Sequence, residues 1–256
     1  MRRKIPLLFF LLSFVLTSCN LTSYKSMLNS PPADFFVKVY KELEITRCPK
    51  GPLKESQKKC EKKNAYSTGS GLIVRISGNQ TVVLTAGHVC STEGLVEEDK
   101  KYRYSWTNTI KLFDRNERFH DGHVILSTPL SATSADLCTL FVPGLDYFEN
   151  KSKVVMAPYG PRVGEDIYYM GAPVGIYHPP TALIVRGVFS GPIDGYSSLA
   201  SVPSAPGASG SVILSLGNQV YGVLFAVHPK FRTATIITNY KETKDFLEAT
   251  RELLKE

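Results

Sequence analysis

Between residues 35 and 238 the chain is written as short runs of Val, Ile, Leu, Phe, Tyr and Thr, each closed by Gly, Pro, Ser or Asn. That punctuation constrains the fold more than any single residue does. β-branched and aromatic side chains suit the pleated surface of a sheet, and the breakers between them supply the backbone angles of turns, so each run reads as a strand. The series opens at 35–40, as a first strand followed by a long excursion. It resumes at 71–76 and 81–85 around the hairpin turn Ser77-Gly78-Asn79-Gln80, then at 109–113, 123–127, 137–142, 166–172, 182–189, 211–214, 220–227 and 233–238. Helical periodicity is confined to 241–255, where Phe246, Leu247, Leu253 and Leu254 share one face. The expectation is an all-β body closed by one C-terminal helix, without internal repeats or low-complexity tracts.

Of the 256 residues 43% are hydrophobic, enough for a sizeable core. The formal charge of +7 includes Arg2, Arg3 and Lys4, which precede an apolar stretch at 5–16, so the remainder is only mildly basic and calls for no nucleic-acid partner. Six lysines crowd the segment from Cys48 to Lys63 and read as a solvated loop, or as an attraction for anionic lipid or substrate. The basic start, the apolar stretch and the small residues after it have the anatomy of an export signal, too short to span a bilayer. Leu16-Thr17-Ser18-Cys19 resembles the bacterial lipoprotein box. The resemblance implies cleavage before Cys19, a diacylglycerol on its thiol, and outer-membrane delivery permitted by Asn20. Residues 1–18 are then a signal peptide, 19–33 a lipidated N-terminus and tether, and the product an exported, membrane-anchored lipoprotein facing the periplasm or cell envelope. A plain secretory signal is the alternative.

Three segments carry reactive side chains. Thr85-Ala86-Gly87-His88-Val89-Cys90 ends an apolar strand on a histidine, Ser134-Ala135-Asp136-Leu137-Cys138 sets an acid before an apolar strand, and Pro206-Gly207-Ala208-Ser209-Gly210 sets a serine among small residues on a tight turn. Acyl transfer needs these residue types together. A serine hydroxyl is a poor nucleophile until an imidazole takes its proton, and the imidazole must be held in one tautomer by a carboxylate at its far nitrogen. Ser209 is the candidate nucleophile, His88 the general base and Asp136 its orienting partner. The glycines let backbone N–H groups of Gly207 and Ser209 aim at a developing oxyanion. For an unperturbed imidazole, activity rises around pH 6.5. The chemistry requires no cofactor and no metal; His120 and His123 read as loop residues.

Thr-Ala-Gly-His before a cysteine, Asp-Leu before apolar residues and Gly-x-Ser-Gly, in that order, resemble the trypsin/chymotrypsin-like serine proteases of compact bacterial or viral type. The approach through Gly69-Ser70-Gly71 is similar too. The resemblance implies two antiparallel six-stranded β-barrels over 34–256, with the three residues in the cleft between them and a protein or peptide as substrate. Ala208 stands where zymogen-type relatives carry an aspartate, which excludes activation through a newly cut N-terminus. Val202-Pro203-Ser204-Ala205 offers no acid for a basic side chain, and Leu224, Phe225 and Ala226 are placed to line an apolar or small substrate pocket. His228 does not sit where it would select acidic residues.

With Cys19 assigned to lipid, four cysteines remain in a compartment that permits disulfides. Cys48 with Cys60 closes a short loop. Cys90 and Cys138 each lie two residues beyond a reactive side chain, so they pair if His88 and Asp136 meet, or stay as buried thiols. The expected function is that of a serine endopeptidase. The alternative is a catalytically inactive lipoprotein of the same fold that binds peptides or a partner protein through the cleft.

Overall fold

The computed structural model describes residues 30–50, 59–91, 101–128, 134–145 and 153–255. The expected signal segment, Cys19 and most of the tether lie outside the described residues, as does 51–58 of the lysine-rich segment. The rest forms two closed antiparallel barrels of six strands each, followed by one terminal helix.

The first barrel runs in the order β1 (Phe36–Pro49), β2 (Glu61–Ser77), β3 (Gln80–Thr85), β6 (Leu137–Phe141), β5 (Phe119–Thr128) and β4 (Tyr102–Phe113), with β1 and β4 closing it. The second is β10 (Val212–Ser215), β11 (Val220–His228), β12 (Phe231–Thr238), β9 (Ser197–Ser201), β8 (Leu183–Pro192) and β7 (Asp166–Gly171). Closure removes the exposed edges that open sheets must protect. On β1, Val37, Val39 and Leu43 alternate into the barrel. Phe36 on the other face is buried as well, because the second barrel covers it through Tyr177, whose ring meets it edge-on at 4.9 Å.

One apolar cluster runs from Leu72, Leu84 and Leu140 in the first barrel, across the interface, to Met170, Leu214 and Val223. A second fills the other barrel around Ile167, Tyr169, Ile213 and Ile237. Large aliphatic side chains of this kind each contribute about 1.5–3 kcal/mol when fully buried. The terminal helix, Tyr240–Leu253, adds Phe246 and Leu247 to the first cluster. Its threonines reach both barrels: Thr243 Oγ1 bonds Thr238 Oγ1 of β12 at 2.7 Å, and Thr250 Oγ1 bonds Thr139 Oγ1 of β6 at 3.0 Å. The helix therefore fixes one barrel against the other.

Several sequence expectations need correction. The first strand does not stop at residue 40: Lys41-Glu42-Leu43-Glu44-Ile45-Thr46 continues β1 to Pro49, paired with 61–67 of β2 and 102–110 of β4. The ends of the lysine-rich segment are thus ladder residues rather than loop, and Cys48 and Cys60 are disulfide-bonded where the two strands converge. His120 and His123 lie on β5, where His120 Nε2 meets the buried Asp114 Oδ2 at 3.1 Å. The strand β9 was missed because Ser-Ser-Leu-Ala-Ser carries no β-branched residue; its place between β8 and β12 makes it a strand.

Candidate active site

His88 sits in a short helical turn, α1 (Gly87–Cys90), directly after β3. The turn can approach the segment before β6 only because residue 87 is glycine. A side chain there would collide with the Thr128 carbonyl oxygen and come within 2.6 Å of Asp136 Oδ1. On the facing segment, Thr128 Oγ1 donates to Ala135 O at 2.5 Å and accepts from the Leu137 N–H at 3.3 Å, so one hydroxyl pins the residues on both sides of Asp136. The disulfide between Cys90 and Cys138 ties the two segments together just beyond the reactive pair.

Asp136 is fully buried, whereas the His88 side chain is 41% exposed. The carboxylate accepts two bonds from the same residue: the His88 backbone N–H reaches Oδ1 at 2.7 Å and the ring Nδ1 reaches Oδ2 at 2.5 Å. A carboxylate oxygen facing an imidazole nitrogen can only accept from it, so the environment assigns the hydrogen to Nδ1 and leaves Nε2 as the ring's acceptor. These charge-assisted bonds are the compensation that a buried carboxylate needs.

Ser209 is brought to the same place by backbone packing. The Ser70 N–H donates to Ser209 O at 2.7 Å, and Thr85 Oγ1 donates to Ser70 O at 2.7 Å, which links β2, the end of β3 and the serine turn. Gly69 has Ser209 O and Val89 beside its missing side chain, the latter one residue after His88. Gly210, at φ +88°, lies against Ser70 O, Thr85 Oγ1 and the Ala86 nitrogen with no room for a Cβ. Ser209 Oγ is not hydrogen-bonded to the His88 ring in this arrangement; such contacts are often long before substrate binds and tighten afterwards.

The Gly207 and Ser209 N–H groups have no partner among the described residues, while the N–H groups of Ala208, Gly210 and Ser211 are all spent on carbonyls. Gly207 has φ +93°, and its backbone rests on the turn Pro173–Gly175, where a side chain would meet Ala172 O at 2.6 Å. Its carbonyl accepts from Ser70 Oγ at 2.9 Å, and that hydroxyl oxygen accepts from the Ala172 N–H at 2.9 Å. Sequence reasoning missed Ser70 and Thr128. Ser70 stands in the Gly69-Ser70-Gly71 motif but bonds groups 102 and 137 residues away, and Thr128 stands outside the motifs, 7 and 9 residues from its partners.

Of the expected pocket residues, Phe225 and Ala226 are partly exposed on β11, but Leu224 is not available. It is 2% exposed in the core of the second barrel, and its main chain holds the serine turn instead, accepting from Gly210 N–H at 2.8 Å and donating to Ser211 O at 2.9 Å. Strand alternation points its side chain inward, a consequence of register that residue type did not reveal. At the level of Pro203 and Ser204, Tyr169 Oη donates to Pro203 O at 2.8 Å, and His228 lies exposed at the far end of β11.

Comparison with known proteins supports the same architecture. The HtrA-type protease AlgW, solved with a decapeptide, superposes with a TM-score of 0.59 at 17% identity, covering 91% of this chain and 68% of that one. The active form of the Rv3671c protease from M. tuberculosis gives 0.58 at 16% identity, covering 84% and 80%. A serine endoprotease from Yersinia pestis gives 0.57 at 15%, covering 89% and 66%. At these identities the likeness is one of fold. No curated protein sequence matches the chain significantly. The trypsin-like peptidase domain profile, however, matches residues 69–223, more than half of the sequence and a span that takes in His88, Asp136 and Ser209. The chain belongs to the trypsin-like peptidase domain family.

Proposed function

We propose that the protein is a serine endopeptidase that works through an acyl-enzyme. The observation that carries this reading is the doubly hydrogen-bonded, buried Asp136 behind a half-exposed His88, next to a serine turn with two unspent N–H groups. Ser209 Oγ attacks the scissile carbonyl carbon as His88 Nε2 takes its proton. Asp136 stabilises the imidazolium through Nδ1–H, and the Gly207 and Ser209 N–H groups bind the oxyanion. The imidazolium returns the proton to the leaving amine, a C–N bond breaks, and an ester to Ser209 remains. Water, deprotonated by His88, then attacks that ester and releases the carboxylate product with Ser209 restored.

The residue before the scissile bond is read as small or apolar. Pro203, Ser204, Ala205 and Ala226 supply no carboxylate for a lysine or arginine side chain. The chain is further read as exported and held at a membrane through lipid on Cys19. Radiolabelled palmitate incorporated by the wild type and lost in Cys19→Ser tests the anchor, and equal incorporation by both sinks it. For the activity, incubation with a peptide library and mass-spectrometric sequencing of products is expected to show internal cleavage after small or apolar residues, abolished in His88→Ala and in Ser209→Ala. Peptides that are retained but uncut would instead favour a binding protein on the same fold.

A further inference from the structure

Strand β1 buries two lysines, Lys38 at 9% and Lys41 at 6% exposure. Desolvating an ammonium is unfavourable unless its N–H groups are well used. Both lysines spend them on main-chain carbonyls rather than on a carboxylate, and the carbonyls belong to the two turns of the candidate active site. Lys41 Nζ donates to His88 O at 2.8 Å and to Ser91 O at 2.7 Å, gripping the C-terminal end of α1, where a helix leaves carbonyls unpaired. Lys38 Nζ crosses to the other barrel and donates to Gly175 O at 2.9 Å, with the Tyr40 ring centre 4.8 Å away.

The turn that Lys38 grips is the one under the serine loop. Val174 N–H donates to Pro206 O at 2.6 Å, and the peptide between Pro206 and Gly207 is trans. In a planar trans peptide the C=O and the following N–H point in opposite directions, so holding the Pro206 carbonyl sets the direction of the Gly207 N–H. Val174 itself is a β-branched residue at φ 48°, ψ 27°, a conformation that persists only where the surroundings enforce it. Ala208, buried and apolar, gives the loop no charged anchor of its own.

We infer that Lys38 and Lys41 are paired positioning residues, Lys38 setting the Gly207 N–H through the Pro173–Gly175 turn and Lys41 setting the His88 turn together with the charge around its ring. The inference rests on the serine-peptidase reading above. The groups it places around His88 are the Asp136 carboxylate and, from β1, the Lys41 ammonium; the disulfide beside them is uncharged. Burial lowers the Lys41 pKa, and the Asp136 charge partly offsets this. A cation on this side opposes the imidazolium, whereas Lys38 is directed at the other turn. The two residues therefore have separable effects.

The test uses the full chain and a fluorophosphonate probe, with second-order labelling rates followed from about pH 5 to about pH 9. Alongside it, the His88 ring is titrated by NMR in the Ser209→Ala background. Lys38→Met is expected to slow labelling on the order of tenfold or more at every pH, with the midpoint unmoved. Lys41→Met is expected to move the acid limb, and the ring titration, to higher pH by about half a unit or more, because the imidazolium forms more readily once the cation is gone. Lys38→Arg and Lys41→Arg keep charge and donors and should restore most of each effect. Labelling by Lys38→Met at the wild-type rate overturns the Lys38 role, and a ring titration in Lys41→Met that overlays its parent overturns the Lys41 role. Equal losses in the Met and Arg forms, with equally lowered melting temperatures, make both residues merely structural and overturn the inference. A wild type that never labels sinks the peptidase reading and the Lys38 role with it, while the ring titration still decides Lys41.

Discussion

Both carboxylate oxygens of Asp136 are spent on His88, and that makes it the sharpest residue to perturb. Asp136→Asn preserves shape but puts an amide opposite Nδ1, which favours the wrong tautomer of His88. The expected result is a rate loss on the order of 10⁴ with an unchanged melting temperature, checked by labelling kinetics beside thermal denaturation. Gly87→Ala should act on the same pair by force, since its Cβ would displace the Thr128 carbonyl and Asp136 Oδ1; both activity and stability should fall, the latter by more than about 1 kcal/mol in a denaturant titration. His88, Asp136 and Ser209 could be singled out as candidates because each stands in a local motif. Ser70, Thr128, Lys38 and Lys41 could not, because their roles depend on contacts 7 to 137 residues away in sequence. A buried lysine on a strand looks in sequence like any solvated one.

Among the elements, those with bulky alternating residues were read correctly and those defined by their neighbours were not. β3 and β11 announce themselves, whereas β9 and the outer halves of β1, β2 and β4 are polar strands held in place by pairing. Leu43 and Ile45, and Tyr102, Tyr104 and Trp106, alternate there as strand residues do, but the charged and small polar residues between them mask the pattern. The bond between Cys90 and Cys138 joins α1 to β6 across 48 residues. Replacing both cysteines by alanine removes a constraint on the unfolded chain and should cost about 2–4 kcal/mol in a denaturant titration. Because the same bond lies beside His88 and Asp136, labelling should slow as well. Stability without any such loss would show that the barrel alone holds the two segments.

At the scale of the whole molecule, burial of aromatic hydroxyls sets the response to alkali. Burial pushes the Tyr169 phenol up to about 12, and burial together with the Asp114 charge does the same for Tyr177. Tyr168 and Tyr221 are raised too, Tyr221 with help from its hydrogen bond to Glu165. In the unfolded chain these phenols lose their protons near pH 10. Above that the folded state binds more protons than the unfolded one, so stability is fully present below pH 10 and is lost as pH rises towards 12. Lys41 works the other way, since its lowered pKa means that rising pH relieves the burial of a cation, but one lysine stands against four tyrosines. The melting temperature should therefore fall steeply above about pH 10, with tyrosinate absorbance appearing together with loss of the β-sheet circular dichroism. Tyrosinate forming well before the sheet is lost would mean that these hydroxyls are not buried as described.

On the reading proposed above, the two barrels, the terminal helix that bridges them and the paired turns hold one serine ready for one histidine. The most direct measurement of that claim is the intact mass of the full chain after exposure to a fluorophosphonate, with the adduct located by peptide mapping. A single adduct on Ser209 in the wild type, absent from Ser209→Ala and from His88→Ala, is the expected result. A folded wild type that stays unmodified, or one modified at any other residue, would contradict the account.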